Sequence, residues 1–142
     1  MDTISNPQPT QFERALAAAL FAGDLPLLDV LRERWRSATF ETRELSGAGF
    51  FLKAVIPSSL PRADPPNLEL GDVFFEAKGL RHGGGSVLFI RNGAISMLEA
   101  YSHVGDWPEE ITEFTLQYFD GAQRNIAALE AKVRSRSNRL AP

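Results

Sequence analysis

Histidine and cysteine, the side chains that most readily move a proton or hold a transition metal near neutral pH, are sparse in this chain. His82 and His103 are its only histidines, and it has no cysteine. Without cysteine there is no thiol nucleophile, no disulfide and no cysteine-ligated metal site. A metal held by the two histidines would need carboxylates such as Glu76, Glu99 or Asp106, and their spacing fits no ligand motif; neither a metal nor another cofactor is expected. His82-Gly83-Gly84-Gly85 has the composition of the oxyanion loops of lipases and esterases, whose backbone amides stabilise a tetrahedral intermediate. That chemistry also needs a serine on a Gly-x-Ser-x-Gly elbow, which the chain lacks. No Gly-Lys-Ser/Thr follows the glycines either, as a phosphate loop requires. The run reads as a flexible link between strands.

Glu99 occupies the most informative setting. Asn92-Gly93, between two apolar runs, is the signature of a two-residue type I′ hairpin turn. Counting back from that turn pairs Ile90 with Ile95, Leu88 with Met97, Val87 with Leu98 and Ser86 with Glu99. One face then carries Leu88, Ile90, Ile95 and Met97, and the other Val87, Phe89, Leu98, Ala94 and Ala100. Glu99 falls beyond Met97 on an apolar face, opposite Ser86 and near Tyr101. Burial there would raise its pKa and prepare it for proton transfer, whereas a hydrogen bond from Ser86 or an arginine would make it structural. Trp107, before Pro108, is either an exposed binding aromatic or an anchor that caps the core. The turn closes one end of the hairpin, so loops 79–85 and 102–110 gather at the other. The sequence predicts a binding surface there, lined by His82, Glu99, Tyr101 and Trp107, with no metal.

The elements that position these residues follow from periodicity. Thr10-Gln11-Phe12-Glu13 is a capping box, and Phe12, Leu16 and Leu20 continue from it at helical spacing until Gly23. Asp24 can cap a second helix with Pro26 in its first turn and Leu27, Leu28, Leu31 and Trp35 on its buried face. Strand signals then cover Phe40–Glu44 and Phe50–Ile56 around Gly47-Ala48-Gly49, Asp72–Lys78, the two hairpin arms, and Phe114–Phe119. Residues 57–69 hold Pro57, Pro61, Pro65 and Pro66 and read as a long surface loop. Ile126, Leu129 and Val133 mark a weaker final helix.

The predicted architecture is a single α+β domain over 1–142. Residues 1–9 form a flexible N-terminus, 10–36 two helices, 39–119 an antiparallel sheet of about five to six strands, and 120–142 a short helix with a basic tail. Both hairpin faces are apolar, so the hairpin should be central in the sheet. Helices would cover one face; the proline-rich loop, the last helix or a second copy in a homodimer would cover the other.

A chain of 142 residues with 44% hydrophobic and 23% charged residues is expected to fold alone. Its net charge is −3, with basic residues concentrated at Arg124, Lys132, Arg134, Arg136 and Arg139. An acidic body with a basic, solvated tail does not predict nucleic-acid binding. The stretch Met1–Thr10 has no signal-peptide character, and no run approaches the ~18 apolar residues of a membrane span, so a cytoplasmic protein off the membrane is expected.

Several short segments form a recognisable set: Gly47-Ala48-Gly49-Phe50-Phe51, Gly79-Leu80-Arg81-His82-Gly83, Val87-Leu88-Phe89-Ile90-Arg91-Asn92-Gly93, Met97-Leu98-Glu99-Ala100-Tyr101 and Trp107-Pro108. Over residues 39–118 the chain resembles a family of small, functionally uncharacterised bacterial proteins with a Gly-Phe-Phe strand, a Leu-Phe-Ile hairpin, a Leu-Glu-x-Tyr/Phe strand and a Trp-Pro loop. The resemblance implies no activity, cofactor or substrate. The leading expectation is a non-catalytic binding or interaction module, similar in role to small immunity or adaptor proteins, with a possible protein partner. The alternatives are a small hydrolase or lyase using Glu99 with His82 or His103 as acid and base, and a carrier with an apolar cavity between sheet and helices.

Overall fold

The computed structural model describes residues 3–138. Met1 and Asp2, the start of the expected flexible N-terminus, and residues 139–142, with Arg139 of the basic tail, lie outside the described residues. Thr3–Ser5 (β1), predicted as part of that flexible N-terminus, is a short strand. The first helix, Gln11–Leu20 (α1), begins on the capping box: Glu13 N–H donates to Thr10 Oγ1 at 3.1 Å and Thr10 N–H to Glu13 Oε1 at 2.9 Å. The second, Pro26–Arg36 (α2), takes Leu25 as its N-cap without a side-chain bond, so Asp24 is not the cap. The residue before a proline is pushed out of the helical region, which makes Leu25 the extended flanking residue and leaves Asp24 one position too early.

The strands that follow are Thr39–Leu45 (β2), Gly49–Val55 (β3), Leu68–Leu70 (β4), Val73–Ala77 (β5), Gly84–Arg91 (β6), Ala94–Ser102 (β7) and Phe114–Tyr118 (β8), before a last helix, Ile126–Asn138 (α3). All pairings are antiparallel, in the order β1-β2-β3-β7-β6-β5-β8, with β4 also beside β6. The fold is α+β, as the sequence predicts, but among the described residues the sheet has eight strands. The additions are β1 and β4, each of 3 residues and too short for an alternating pattern to show. The loop predicted over 57–69 therefore ends where β4 begins. It clasps the hairpin turn: Ala63 N–H donates to Gly93 O at 2.7 Å and Gly93 N–H to Pro66 O at 2.8 Å.

The hairpin departs from its predicted register at one residue. Asn92 and Gly93 both have positive φ, as a type I′ turn requires, and Arg91 and Ile90 face Ala94 and Ile95. Beyond them the register shifts: Phe89 pairs with Met97, Leu88 with Leu98, Val87 with Glu99 and Ser86 with Ala100. Ser96 is the extra residue of a β-bulge, and everything after it on β7 changes face. Ser86 and Glu99 consequently point to opposite sides of the sheet. The apparent apolarity of both hairpin faces came in part from counting through this bulge.

With the bulge in place, one face carries Ser86, Leu88, Ile90, Ile95, Leu98 and Ala100, all buried, and this inner face is the core. Phe12 of α1 packs edge-on against Phe75 at 4.9 Å and Phe114 at 5.1 Å, and Trp35 of α2 packs on Phe40 at 5.0 Å. Leu129 of α3 joins the same cluster. No described helix is long and apolar enough to cross a membrane.

Candidate functional site

The face opposite the helices presents Val87 and Phe89 of β6, Met97, Glu99 and Tyr101 of β7, Phe51 of β3 and Phe74 of β5, all half-buried and none packed into the core. Strand alternation puts them in rows. Glu99 lies between Phe51 and Val87, its register partners on either side, and Met97 between Lys53 and Phe89. Burial between those apolar neighbours raises the Glu99 carboxyl above its ordinary range. Ser86, the predicted donor to Glu99, instead donates to Val73 O at 2.9 Å on the inner side. Among the described residues Glu99 makes no hydrogen bond or ion pair. The same face also holds Glu69, whose carboxyl the hydrogen-bonding Arg91 pulls below its ordinary range, and a Lys53–Glu41 pair at 3.7 Å.

In the next row Tyr101 pairs with Gly49 on one side and Gly85 on the other. A β-carbon on Gly85 would stand 2.5 Å from the Tyr101 hydroxyl oxygen, so the ring lies across the bare backbone. Half of the predicted flexible link is thus strand: Gly84 and Gly85 open β6, and of its four residues only Gly83, just before the strand, has positive φ. Aromatic rings extend the row toward β8. His103 sits 5.9 Å from Tyr101 and 6.0 Å from Phe74, which lies 6.2 Å from Phe119. Phe119 is 78% exposed.

The loops expected at the open end of the hairpin do converge: His103 N–H donates to Gly83 O, and Trp107 N–H to Gly47 O. Their side chains nevertheless divide between the two faces. Glu99 and Tyr101 are on the outer face and His82 is exposed in the turn before β6. Trp107 packs against Phe12, Phe50 and Phe75 on the inner side, as an anchor of the core. It lines a cavity of about 440 Å³ with residues of α1, β2 and β3, on the side of the sheet away from Glu99. Among the described residues no group of three or more His, Asp or Glu is arranged to hold a metal.

Sequence reasoning missed two buried charge pairs. Glu13, besides capping α1, holds Arg43 of β2 through both carboxylate oxygens, and their side chains are 2% and 12% exposed. Arg124, read as part of a solvated tail, has a side chain only 4% exposed; it donates to both Asp72 oxygens and to the carbonyls of Ala19, Leu20 and Ala22 at the end of α1 and in the turn after it, with Ala19 O also accepting from the Tyr118 hydroxyl. Arg124 lies beside a surface cavity of about 330 Å³ between Leu70–Asp72, Tyr118–Asp120 and α3. Partial burial there lowers the pKa of Lys132 and raises that of Tyr118.

No family model, curated protein or solved structure matches the chain.

Proposed function

We propose that this chain is a non-catalytic binding module, immunity- or adaptor-like in role, that offers the outer face of its sheet to a protein partner in the bacterial cytoplasm. One observation carries the proposal: the helices pack on the inner face or beside β4, leaving a row of Phe51, Val87, Phe89, Met97 and Tyr101 with a partly desolvated Glu99 among them. Contiguous exposed apolar surface on a soluble fold is characteristic of interaction sites. The partner is expected to be apolar at its centre, with a cationic or amide donor placed to reach Glu99, because an unpaired carboxylate inside a buried contact would oppose binding.

Photo-crosslinking from position 97 identifies the partner, and calorimetry on the purified pair measures its affinity. Met97→Glu and Val87→Glu should each weaken binding by about tenfold or more with little change in Tm, whereas Glu33→Lys on the exposed side of α2 should leave it unchanged. If neither outer-face substitution alters affinity, the proposal is wrong.

A further inference from the structure

We infer that the free edge of β8 pairs with β8 of a second copy, joining two sheets into one across a two-fold axis at Thr115. The self-association expected from the hairpin then resides at a sheet edge, independently of the outer face. Alternation along β8 decides which backbone groups are free. Lys78 N–H donates to Glu113 O and Phe119 N–H to Asp72 O, so the odd-numbered residues of this segment point toward β5. Tyr118 N–H and C=O instead bond to Gly121, away from β5. Phe114 and Leu116 share the direction of Tyr118. Among the described residues their N–H and C=O groups have no partner.

The other edges of the sheet are protected. β1 is only 3 residues long, and on β4 the Lys132 ammonium donates to Glu69 O while α3 runs alongside. β8 has none of the usual protections: Phe114-Thr115-Leu116-Gln117-Tyr118 contains no charge, no proline and no bulge. Its free groups are self-complementary. An antiparallel pair centred on Thr115 sets Phe114 of one copy against Leu116 of the other, each exchanging N–H and C=O, with Thr115 facing Thr115. The turn at Gly121 occupies Tyr118 and so excludes a register centred further along the strand. In the allowed register Glu113 faces Gln117, and no like charges meet. Phe114 and Leu116, half-buried in one copy, would complete each other's burial on the inner face.

Sedimentation across micromolar concentrations, with the chain as it stands, should show a reversible dimer. Leu116→Pro removes an N–H that points away from β5, so it should produce a monomer with its own sheet intact. Thr115→Arg places two cations face to face at the axis and should raise the dissociation constant by about a hundredfold. Because the native chain has no cysteine, Thr115→Cys should give a disulfide-linked dimer under mild oxidation, since facing non-hydrogen-bonded residues lie within bridging distance. Met97→Glu on the outer face should leave the dimer unchanged. A wild-type monomer throughout this range, or a dimer that survives both Thr115→Arg and Leu116→Pro, would overturn the inference. If Leu116→Pro fails to fold, Thr115→Arg and the Thr115→Cys crosslink still decide.

Discussion

Arg43 of β2 closes on Glu13 of α1, with Nε 2.6 Å from one carboxylate oxygen and a terminal nitrogen 2.5 Å from the other. The pair ties the first helix to the sheet, and its charges are almost out of water. Removing one partner strands the other, which costs about 3–5 kcal/mol at such sites, whereas an apolar pair of similar volume costs far less. Glu13→Ala should therefore lower unfolding free energy by about that amount, and Glu13→Leu combined with Arg43→Met should recover a large part of it. Denaturant unfolding of the variants, read as a double-mutant cycle, checks both values.

Arg124 and Arg136 belong to the same basic tail and are expected to respond differently. Arg124 is buried against Asp72 and three carbonyls, so Arg124→Ala should cost about 2–4 kcal/mol in thermal or denaturant unfolding. Arg136 lies 3.8 Å from the Glu69 carboxylate, too far for a hydrogen bond, with its side chain 35% exposed, and Arg136→Ala should change stability by no more than about 0.5 kcal/mol. Similar losses for the two would refute the assignment of Arg124 to the interior.

Glu99 makes a prediction about pH. Its carboxyl is raised by burial, so the folded protein keeps a proton over an interval in which the unfolded chain has released it. Stability falls as pH rises through that interval. Glu99→Gln removes the penalty, so the variant should melt above the wild type at neutral pH, by about 1–3 °C once solvent screening of a half-exposed group is allowed for. The gap should close below the ordinary glutamate range. A variant that is less stable at neutral pH would show that the carboxylate has a stabilising partner.

What could be read from the sequence was what is decided locally. Thr10 and Glu13 are three residues apart and cap one helix turn; Asn92 and Gly93 are adjacent and make one turn of defined hand. The faces of the hairpin could not be read in this way, because Ser96 is an extra residue in β7 and nothing in its immediate neighbours announces the bulge. From Ser96 onward the predicted alternation is displaced by one, which brought Ser86 and Glu99 together on paper and separates them in the fold. Arg124 was illegible for another reason: the carbonyls it binds lie more than a hundred residues away in the chain, and only tertiary packing brings them within reach. Trp107 had two readings in the sequence, and the rings of Phe12, Phe50 and Phe75 decide for the core anchor.

The proposed partner surface is the outer face of the sheet, around Glu99. Hydroxyl-radical footprinting tests it most directly, since methionine and aromatic side chains on that face report their own accessibility. Met97, Phe89 and Tyr101 should be labelled in the protein alone and protected in the complex, while Trp35 on the helical side should be labelled equally in both. Protection confined to α1 or α2, with Met97 and Tyr101 labelled alike in the free and bound protein, would contradict it.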